Sequence, residues 1–355
     1  SVTMTADVSD AAGNAAAQVT SSAFTYDKTA PTVTLVSSNK SDGTYKASDI
    51  IAIAVLFSEA VTVDTSSGTP TITLSTGGSG SSVNFTSGSG TTLLTFNYTV
   101  ASGHNSNDLA YSASNSLALN SATIKDSAGN DATLTLPSPS EAASLSFNKD
   151  IVIDTTSPTM TITSSTSGVS DGSTTKDATI SLTFTSSEAT TNFTDADITV
   201  INGAISGFNP ASSTTYTATF TPTTDGATTV DVAGNVFTDA VGNNNTAATQ
   251  FNWTYDSTPP IISAIGTGAF SWGAVLNATE DNSNGTVSVT TSGAEDGQTV
   301  TITLNGATYT NTVSSDATTV TITAAALQAL TDGQSYTLTA DVSDAAGNAA
   351  SQVTS

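Results

Sequence analysis

The sequence predicts an all-β protein built of tandem β-sandwich domains arranged end to end as a rod. Three observations lead there. Residues Ser1–Ser21 return as Ser335–Ser355 with three differences, an offset of 334 positions between Ser1 and Ser335. Self-similarity at a fixed period is the mark of a repeat array. Short runs that alternate Thr with Val, Ile or Leu are bounded by Gly, Ser, Asn and Asp, as half-buried strands and their turns require. Finally, the pattern Asp-x-Thr/Ser-x-Pro recurs as Asp27-Lys-Thr-Ala-Pro31, Asp154-Thr-Thr-Ser-Pro158 and Asp256-Ser-Thr-Pro-Pro260. Proline fixes φ and donates nothing to a sheet ladder, so it suits the places where one sandwich ends and the next begins.

These linkers divide the chain. Residues 1–27 read as the last two strands, an F–G hairpin, of a domain whose beginning lies upstream. Residues 28–154 make the first complete domain, with strands such as Thr32–Val36 and Thr71–Leu74. Residues 155–256 make the second, with Thr161–Thr163, and residues 257–355 the third, with Val300–Leu304 and an incomplete last strand. Each complete domain has roughly 100 to 125 residues, the size of an immunoglobulin-like sandwich. One helical turn is expected, at Ala324–Leu330 inside the third domain.

Composition narrows the partners. Thirty Asp and Glu face six Lys, with no Arg, for a formal net charge of −24. Nucleic acid and anionic lipid are poor partners for such a surface, whereas divalent cations are good ones. No apolar run approaches the ~18 residues that cross a bilayer, so membrane insertion is not expected. Cysteine is absent, so stability has to come from sheet packing, bound metal or both.

Two further motifs recur in phase with the linkers. Asp-x-x-Gly-Asn precedes the last strand of each unit, at Asp10–Asn14, Asp126–Asn130, Asp239–Asn243 and Asp344–Asn348. An acidic residue follows an early strand in Ser58-Glu59-Ala60, Ser187-Glu188-Ala189 and Ala294-Glu295-Asp296. In a seven-strand sandwich the B–C and F–G loops lie at the pole where the first strand begins, so linker Asp, B–C Glu and F–G Asp/Asn should converge. The expected sets are Asp27, Glu59, Asp126 and Asn130; Asp154, Glu188, Asp239 and Asn243; and Asp256, Glu295, Asp344 and Asn348, with Asp10 and Asn14 left from the preceding unit. Clustered carboxylates repel unless a cation sits among them. Calcium takes six to eight oxygen ligands in irregular geometry, and several ions per repeat are expected. Zinc and copper prefer His or Cys, and the chain has one His and no Cys. Asp-x-x-Gly-Asn is also an ordinary tight turn, in which Asp bonds its own backbone and Gly takes φ > 0. Its recurrence beside acidic linkers is what favours the metal.

With Phe57-Ser-Glu59, Thr238-Asp-Ala-Val-Gly-Asn243, Asp197–Phe208 and Gly297–Leu304 in place, the chain resembles the bacterial immunoglobulin-like repeats of giant secreted adhesins and biofilm-associated surface proteins. The resemblance touches nearly the whole chain. It implies an extracellular or cell-surface stalk in which calcium at domain junctions rigidifies the array, with adjacent repeats of the same chain or identical subunits as partners. Ala294-Glu-Asp296 departs from the Ser-Glu-Ala of the other domains, so the third site is expected to be organised differently.

Catalysis finds no support in the motifs: there is no G-x-S-x-G, H-E-x-x-H or P-loop, and His104 stands in a Ser/Gly/Asn loop where solvation is the expectation. The functional alternatives are a structural spacer and an adhesin module that grips a surface glycan or a neighbouring chain. A binder needs gathered aromatics, and in the sequence they are few and scattered.

Overall fold

A computed structural model describes residues 2–355; Ser1, the first residue of the expected hairpin, lies outside them. The chain divides into two compact units, Ser1–Thr156 with Val241–Asn243, and Ser157–Ala240 with Asn244–Ser355. Three hydrophobic cores are distributed over them, one in the first unit and two in the second. Strands dominate throughout, as the alternating pattern requires.

The first unit opens on a hairpin in which Thr5–Ala6 pairs antiparallel with Val19–Thr20. Its larger apolar side chains face outward: Met4 is 62% exposed and Val8 68%. The sandwich proper is organised by the 15-residue strand Ile50–Asp64, which pairs with Val33–Ser38 on one side and Thr91–Thr99 on the other. Alternation places Ile51, Ile53, Val55 and Phe57 in the core, each of which stabilises by about 1.5–3 kcal/mol relative to exposure. Pairing with Thr91–Thr99 shifts register between Leu56 and Val61. Ser58-Glu59-Ala60 therefore sits at an irregularity inside one continuous strand and not in a loop after it. Bulges of this kind re-aim a side chain while the strand continues, which keeps Glu59 at the linker without ending the ladder. The short strand Gly43–Tyr45 runs parallel to Ile151–Ile153, the strand that leads into the linker at Asp154. A helical turn for which the sequence gives no signal, Leu145–Asn148, is capped by the Ser144 hydroxyl, which accepts from the Phe147 N–H at 3.3 Å.

The first sandwich of the second unit has two four-stranded sheets. One orders Met160–Ser164, Ile180–Ser186, Thr215–Pro222 and Gly203–Pro210; the other Thr174–Thr175, Phe251–Tyr255, Gly226–Val232 and Ile198–Ile201. The early segment thus changes sheets, pairing antiparallel at Met160–Ser164 and parallel at Thr174–Thr175. Between the sheets Phe193 meets Tyr216 and Phe237 edge-on at 5.0 and 5.3 Å, an arrangement that the ring quadrupoles favour. Tyr216 carries its hydroxyl into this core only because it donates to the Thr190 carbonyl at 2.8 Å.

The last sandwich sets Ile261–Ile262, Gly285–Ser292 and Ala317–Ile322 against Ala307–Thr312, Thr299–Leu304, Leu338–Asp341 and Val353–Thr354. The expected helical turn is present as Ala324–Gln328, capped by Thr323. Its Leu327 and the neighbouring Trp272 close the end of the core over Gly285, where a Cβ would lie only 2.3 Å from the indole. Glycine is required there by close approach, not by backbone conformation.

Candidate metal centre

Each linker begins with the same local device. The carboxylate of Asp27 accepts from the Thr29 N–H at 3.0 Å, that of Asp154 from Thr156 at 2.9 Å, and that of Asp256 from Thr258 at 3.0 Å. This turn is set by Asp and the backbone two residues on. After the proline, Thr32 and Thr159 each accept a backbone bond from the Ser of Ser-Glu-Ala and also donate to its hydroxyl, at 3.1 Å for Ser58 and 2.9 Å for Ser187. The serine therefore fastens the acidic segment beside the linker. In the last sandwich Ile261, the residue after the proline, pairs instead with Ser292, and Glu295 stands three residues beyond that serine, not one.

The Asp-x-x-Gly-Asn loop is also self-contained. In Asp126–Asn130 one carboxylate oxygen accepts the Asn130 N–H at 2.8 Å and the other its side-chain amide at 2.7 Å. Asp10 with Asn14 and Asp344 with Asn348 repeat the pair of bonds. Gly13, Gly129, Gly242 and Gly347 all take φ between +86° and +95°, the left-handed turn that closes the loop. Asn also reaches the linker: its amide donates to the Asp27 carbonyl from Asn130 at 3.4 Å, to Asp154 from Asn243 at 3.1 Å, and to Asp256 from Asn348 at 2.9 Å. The amide nitrogen is thus a brace. Only the amide oxygen is suited to a cation.

In the first unit these devices bring Asp27, Glu59 and Asp126 together, one carboxylate oxygen from each lying within 4.8 Å of the others. Asp126 is 5% exposed. Hydrogen bonds from Asn130 hold its carboxyl below the usual range, so it remains charged. Glu59 shifts the opposite way: desolvation raises its pKa, and the charges of Asp27 and Asp126 raise it further. The group is electrostatically frustrated, and a cation or a proton would relieve it.

The second expected set divides between the units. Glu188 and Asp239 bring carboxylate oxygens within 4.8 Å of one another, with Asp239 7% exposed, whereas Asp154 and its Asn243 brace belong to the first unit. The third set is assembled differently. Asp344 is 3% exposed and Asn348 braces the Asp256 carbonyl, but Glu295 accepts the Ala345 N–H at 2.8 Å. Among the described residues Asp256, Glu295 and Asp344 do not form a three-carboxylate group. The register gives the physical reason: Glu295 lies three residues past Ser292, the residue opposite the linker strand, whereas Glu59 and Glu188 lie one past Ser58 and Ser187. Asp10 and Asn14 make the loop alone, on an exposed hairpin.

Other acids have local roles. Asp197 accepts the Thr194 N–H at 2.8 Å as a cap, Glu280 accepts the Asn277 N–H at 3.0 Å, and Asp296 that of Ser315 at 2.7 Å. Asp225, which sequence reasoning missed, accepts the Ser257 N–H at 2.8 Å and both the Ser257 and Thr258 hydroxyls. It fastens the linker at Asp256 to the sandwich before it, within the second unit. The only sequence signal is its place in Thr224-Asp225-Gly226, an ordinary turn. His104 is not simply solvated as expected: its ring stacks on Tyr98 and its Nδ1 lies 2.9 Å from the Tyr98 hydroxyl, so it anchors its loop.

Comparison with known proteins agrees with this architecture. The model of a bacterial Ig-like domain matches residues 154–255, and that of a bacterial Ig-like domain of group 3 matches residues 213–355. The chain belongs to the bacterial Ig-like domains. A search of curated proteins returns no match. Among solved structures, the chain is similar to one from work on host cell surface retention of a 1.5-MDa bacterial ice-binding adhesin (20% identity, 92% of this chain and 97% of that one, TM-score 0.31). It is similar also to a Ca2+-stabilized adhesin with which an Antarctic bacterium binds ice (22%, 99% and 79%, TM-score 0.30) and to InvD of Yersinia pseudotuberculosis (14%, 90% and 96%, TM-score 0.32). Likenesses this distant bear on neither ligand nor domain arrangement. Within the matched Ig-like span, no helix among the described residues is long and apolar enough to cross a membrane, and the same holds for the rest of the chain.

Proposed function

We propose that these Ig-like domains are a structural repeat unit of an extracellular, adhesin-type stalk, joined to adjacent repeats of the same chain or to identical subunits, and that calcium at the Asp–Glu–Asp junctions rigidifies it. The observation that carries the reading is the gathering of Asp27, Glu59 and Asp126 with Glu59 pushed up. The donor set fits the ion: carboxylates from three separate segments, the Asn130 amide oxygen and linker carbonyls are all hard oxygens, and water can complete six to eight ligands. No nitrogen or sulfur donor is offered for a softer metal. By sequence correspondence the same role is proposed for Asp154, Glu188, Asp239 and Asn243, and for Asp256, Glu295, Asp344 and Asn348 with fewer carboxylate ligands. Affinities of about 10⁻⁴ to 10⁻³ M, ordinary for extracellular modules, would keep such sites filled outside a cell and empty within it.

Small-angle scattering of residues 1–355 with calcium and with EDTA tests this. A larger and better defined maximum dimension in calcium is expected, together with saturable heat in calcium titration. Identical scattering curves would remove the rigidifying role.

One observation favours ligand binding as a second reading. In the last sandwich a cleft of about 630 Å³ is lined by Phe270, Trp272 and Tyr336 together with Asn277, Asp281 and Gln334. Aromatics that the sequence scatters are gathered there beside amide and carboxylate groups, a combination suited to a sugar. Titration with a panel of soluble glycans, read by Trp272 fluorescence, separates the readings: a saturable shift favours the binder, and silence leaves the spacer.

A further inference from the structure

Two of the six lysines occupy equivalent places that no motif announces. The strand Gly43–Tyr45 runs parallel to Ile151–Ile153, and Thr174–Thr175 runs parallel to Phe251–Tyr255; each partner strand leads directly into a linker aspartate. The Asp154 N–H donates to the Tyr45 carbonyl at 2.9 Å and the Asp256 N–H to the Thr175 carbonyl at 3.0 Å. The next residue is lysine in both cases. The Lys46 ammonium donates to the Gly242 carbonyl at 3.3 Å, and the Lys176 ammonium donates to the Gly347 carbonyl. Each contact lies within one unit.

Both acceptors are the glycine of an Asp-x-x-Gly-Asn loop. The asparagine of the same loop, Asn243 or Asn348, donates to the carbonyl of the same linker aspartate. Each linker aspartate is therefore bonded through its N–H to the strand that carries the lysine and through its carbonyl to the loop that the lysine grips. A closed ring of backbone and side-chain bonds results. Chance placement explains this poorly, because the spacing in sequence differs: Asp42-Gly43 precedes Lys46 by three residues from the glycine, whereas Asp171-Gly172 precedes Lys176 by four. What stays constant is the position next to the carbonyl that holds the linker.

We propose that Lys46 and Lys176 are latch residues that seat the following Asp-x-x-Gly-Asn loop on its linker, whether or not metal is bound. Lysine is well matched to this role. Its long stem reaches the loop, and its ammonium makes a charge-assisted bond to a carbonyl beside carboxylates, in a chain that carries a formal charge of −24. The glycine itself is set by its left-handed backbone, φ +95° at Gly242 and +86° at Gly347, and the lysine reaches only its carbonyl. The loop Asp126–Asn130 is the internal control, because residues 1–27 contain no lysine. Residues 257–355 contain none either, so the last sandwich carries no latch of this kind. The latch is separate from calcium binding and does not depend on it.

Amine acylation of residues 1–355 in EDTA, followed residue by residue by mass spectrometry, is the direct test. Lys46 and Lys176 should react on the order of fivefold more slowly than Lys28, the factor that corresponds to one modest hydrogen bond. Rates equal to that of Lys28 would overturn the latch. In the paired variants K46Q/K176Q and K46R/K176R, hydrogen exchange at the Asp154 and Asp256 amides should quicken for Gln and hold for Arg, with Asp126–Asn130 unchanged in both. Unchanged exchange in the Gln variant, or quickening that spreads to Asp126–Asn130, would also overturn it. Absence of any calcium effect in the unmodified chain would defeat the metal reading and leave these readouts intact.

Discussion

Residues 2–21 and 336–355 are nearly the same peptide in two surroundings. In both, Asp and Asn close the loop with the same two bonds, 2.9 and 2.9 Å at Asp10–Asn14 and 2.7 and 3.0 Å at Asp344–Asn348. Burial separates them. Met4 is 62% exposed and Val8 68%, whereas their counterparts Leu338 and Val342 are 3% and 4% exposed inside a core. The loop's shape is thus written in five residues, but its anchorage is not. Only when a sandwich surrounds the hairpin does the asparagine find a linker carbonyl, and only beside a linker and a Ser-Glu-Ala segment does the loop aspartate join other carboxylates. A two-stranded hairpin is at best marginal by itself.

Core truncation should show the largest contrast. Leu338→Ala removes a side chain packed into the last core and should cost about 2–5 kcal/mol. Met4→Ala at the matching position should change stability by less than ~0.5 kcal/mol. Denaturant melts of the two variants measure both, and similar losses would mean that the N-terminal hairpin is packed as its twin is.

The next contrast is between a loop alone and a loop within a site. At about a hundredfold excess over its dissociation constant, calcium should stabilise the first unit by about 2.7 kcal/mol. Asp126→Asn and Glu59→Gln should abolish that gain, and Asp10→Asn should not. The pH dependence without metal carries its own sign. Glu59 has a folded pKa above its ordinary value of 4.5, so its contribution is fully present below that value and is lost as pH rises through the raised one. Asp126, held low by Asn130, contributes stability that is present above its ordinary value of 3.8 and is lost as pH falls through the folded value. In EDTA the Glu59→Gln protein should therefore lose the decline that the unmodified protein shows above pH 4.5. A decline of equal size in both would separate Glu59 from the frustration assigned to it.

How far sequence could see follows from the same contrast. Alternation, linkers and the Asp-x-x-Gly-Asn loops are local patterns, and the structure repeats them closely. The helical turn at Ala324 was legible because a Thr cap precedes three alanines; that at Leu145 was not, because Leu-Ser-Phe-Asn between prolines and strands has no helical period. Ser58 and Ser187 were visible as letters, but their bond to the residue after the proline spans 26 and 28 positions. Asp225 and the two lysines act over still longer separations, where a single sequence has no signal. Ala294-Glu-Asp296 was legible as a departure, but the register that puts Ser292 opposite the linker strand and carries Glu295 two residues further on was not.

The smallest contrast tests whether the loop's shape is as local as its bonds suggest. Gly13 and Gly347 sit at φ +87° and +86°, and neither has a neighbour that a Cβ would strike: nothing lies within 4 Å at Gly13, and Lys176 lies at 3.8 Å from a Cβ at Gly347. Alanine at either position must bear the left-handed penalty of about 1–2 kcal/mol and nothing more. Local conformation thus predicts equal strain, while anchorage predicts unequal consequences. In Gly347→Ala the strain should lower the melting stability of the last sandwich by that amount, because the loop unfolds with its core. In Gly13→Ala global stability should not move, and the strain should surface only as faster hydrogen exchange at the Asp10 and Asn14 amides. If Gly13→Ala destabilised the protein as much as Gly347→Ala, the hairpin would be coupled to a core after all, and the contrast between the twins would reduce to one of exposure.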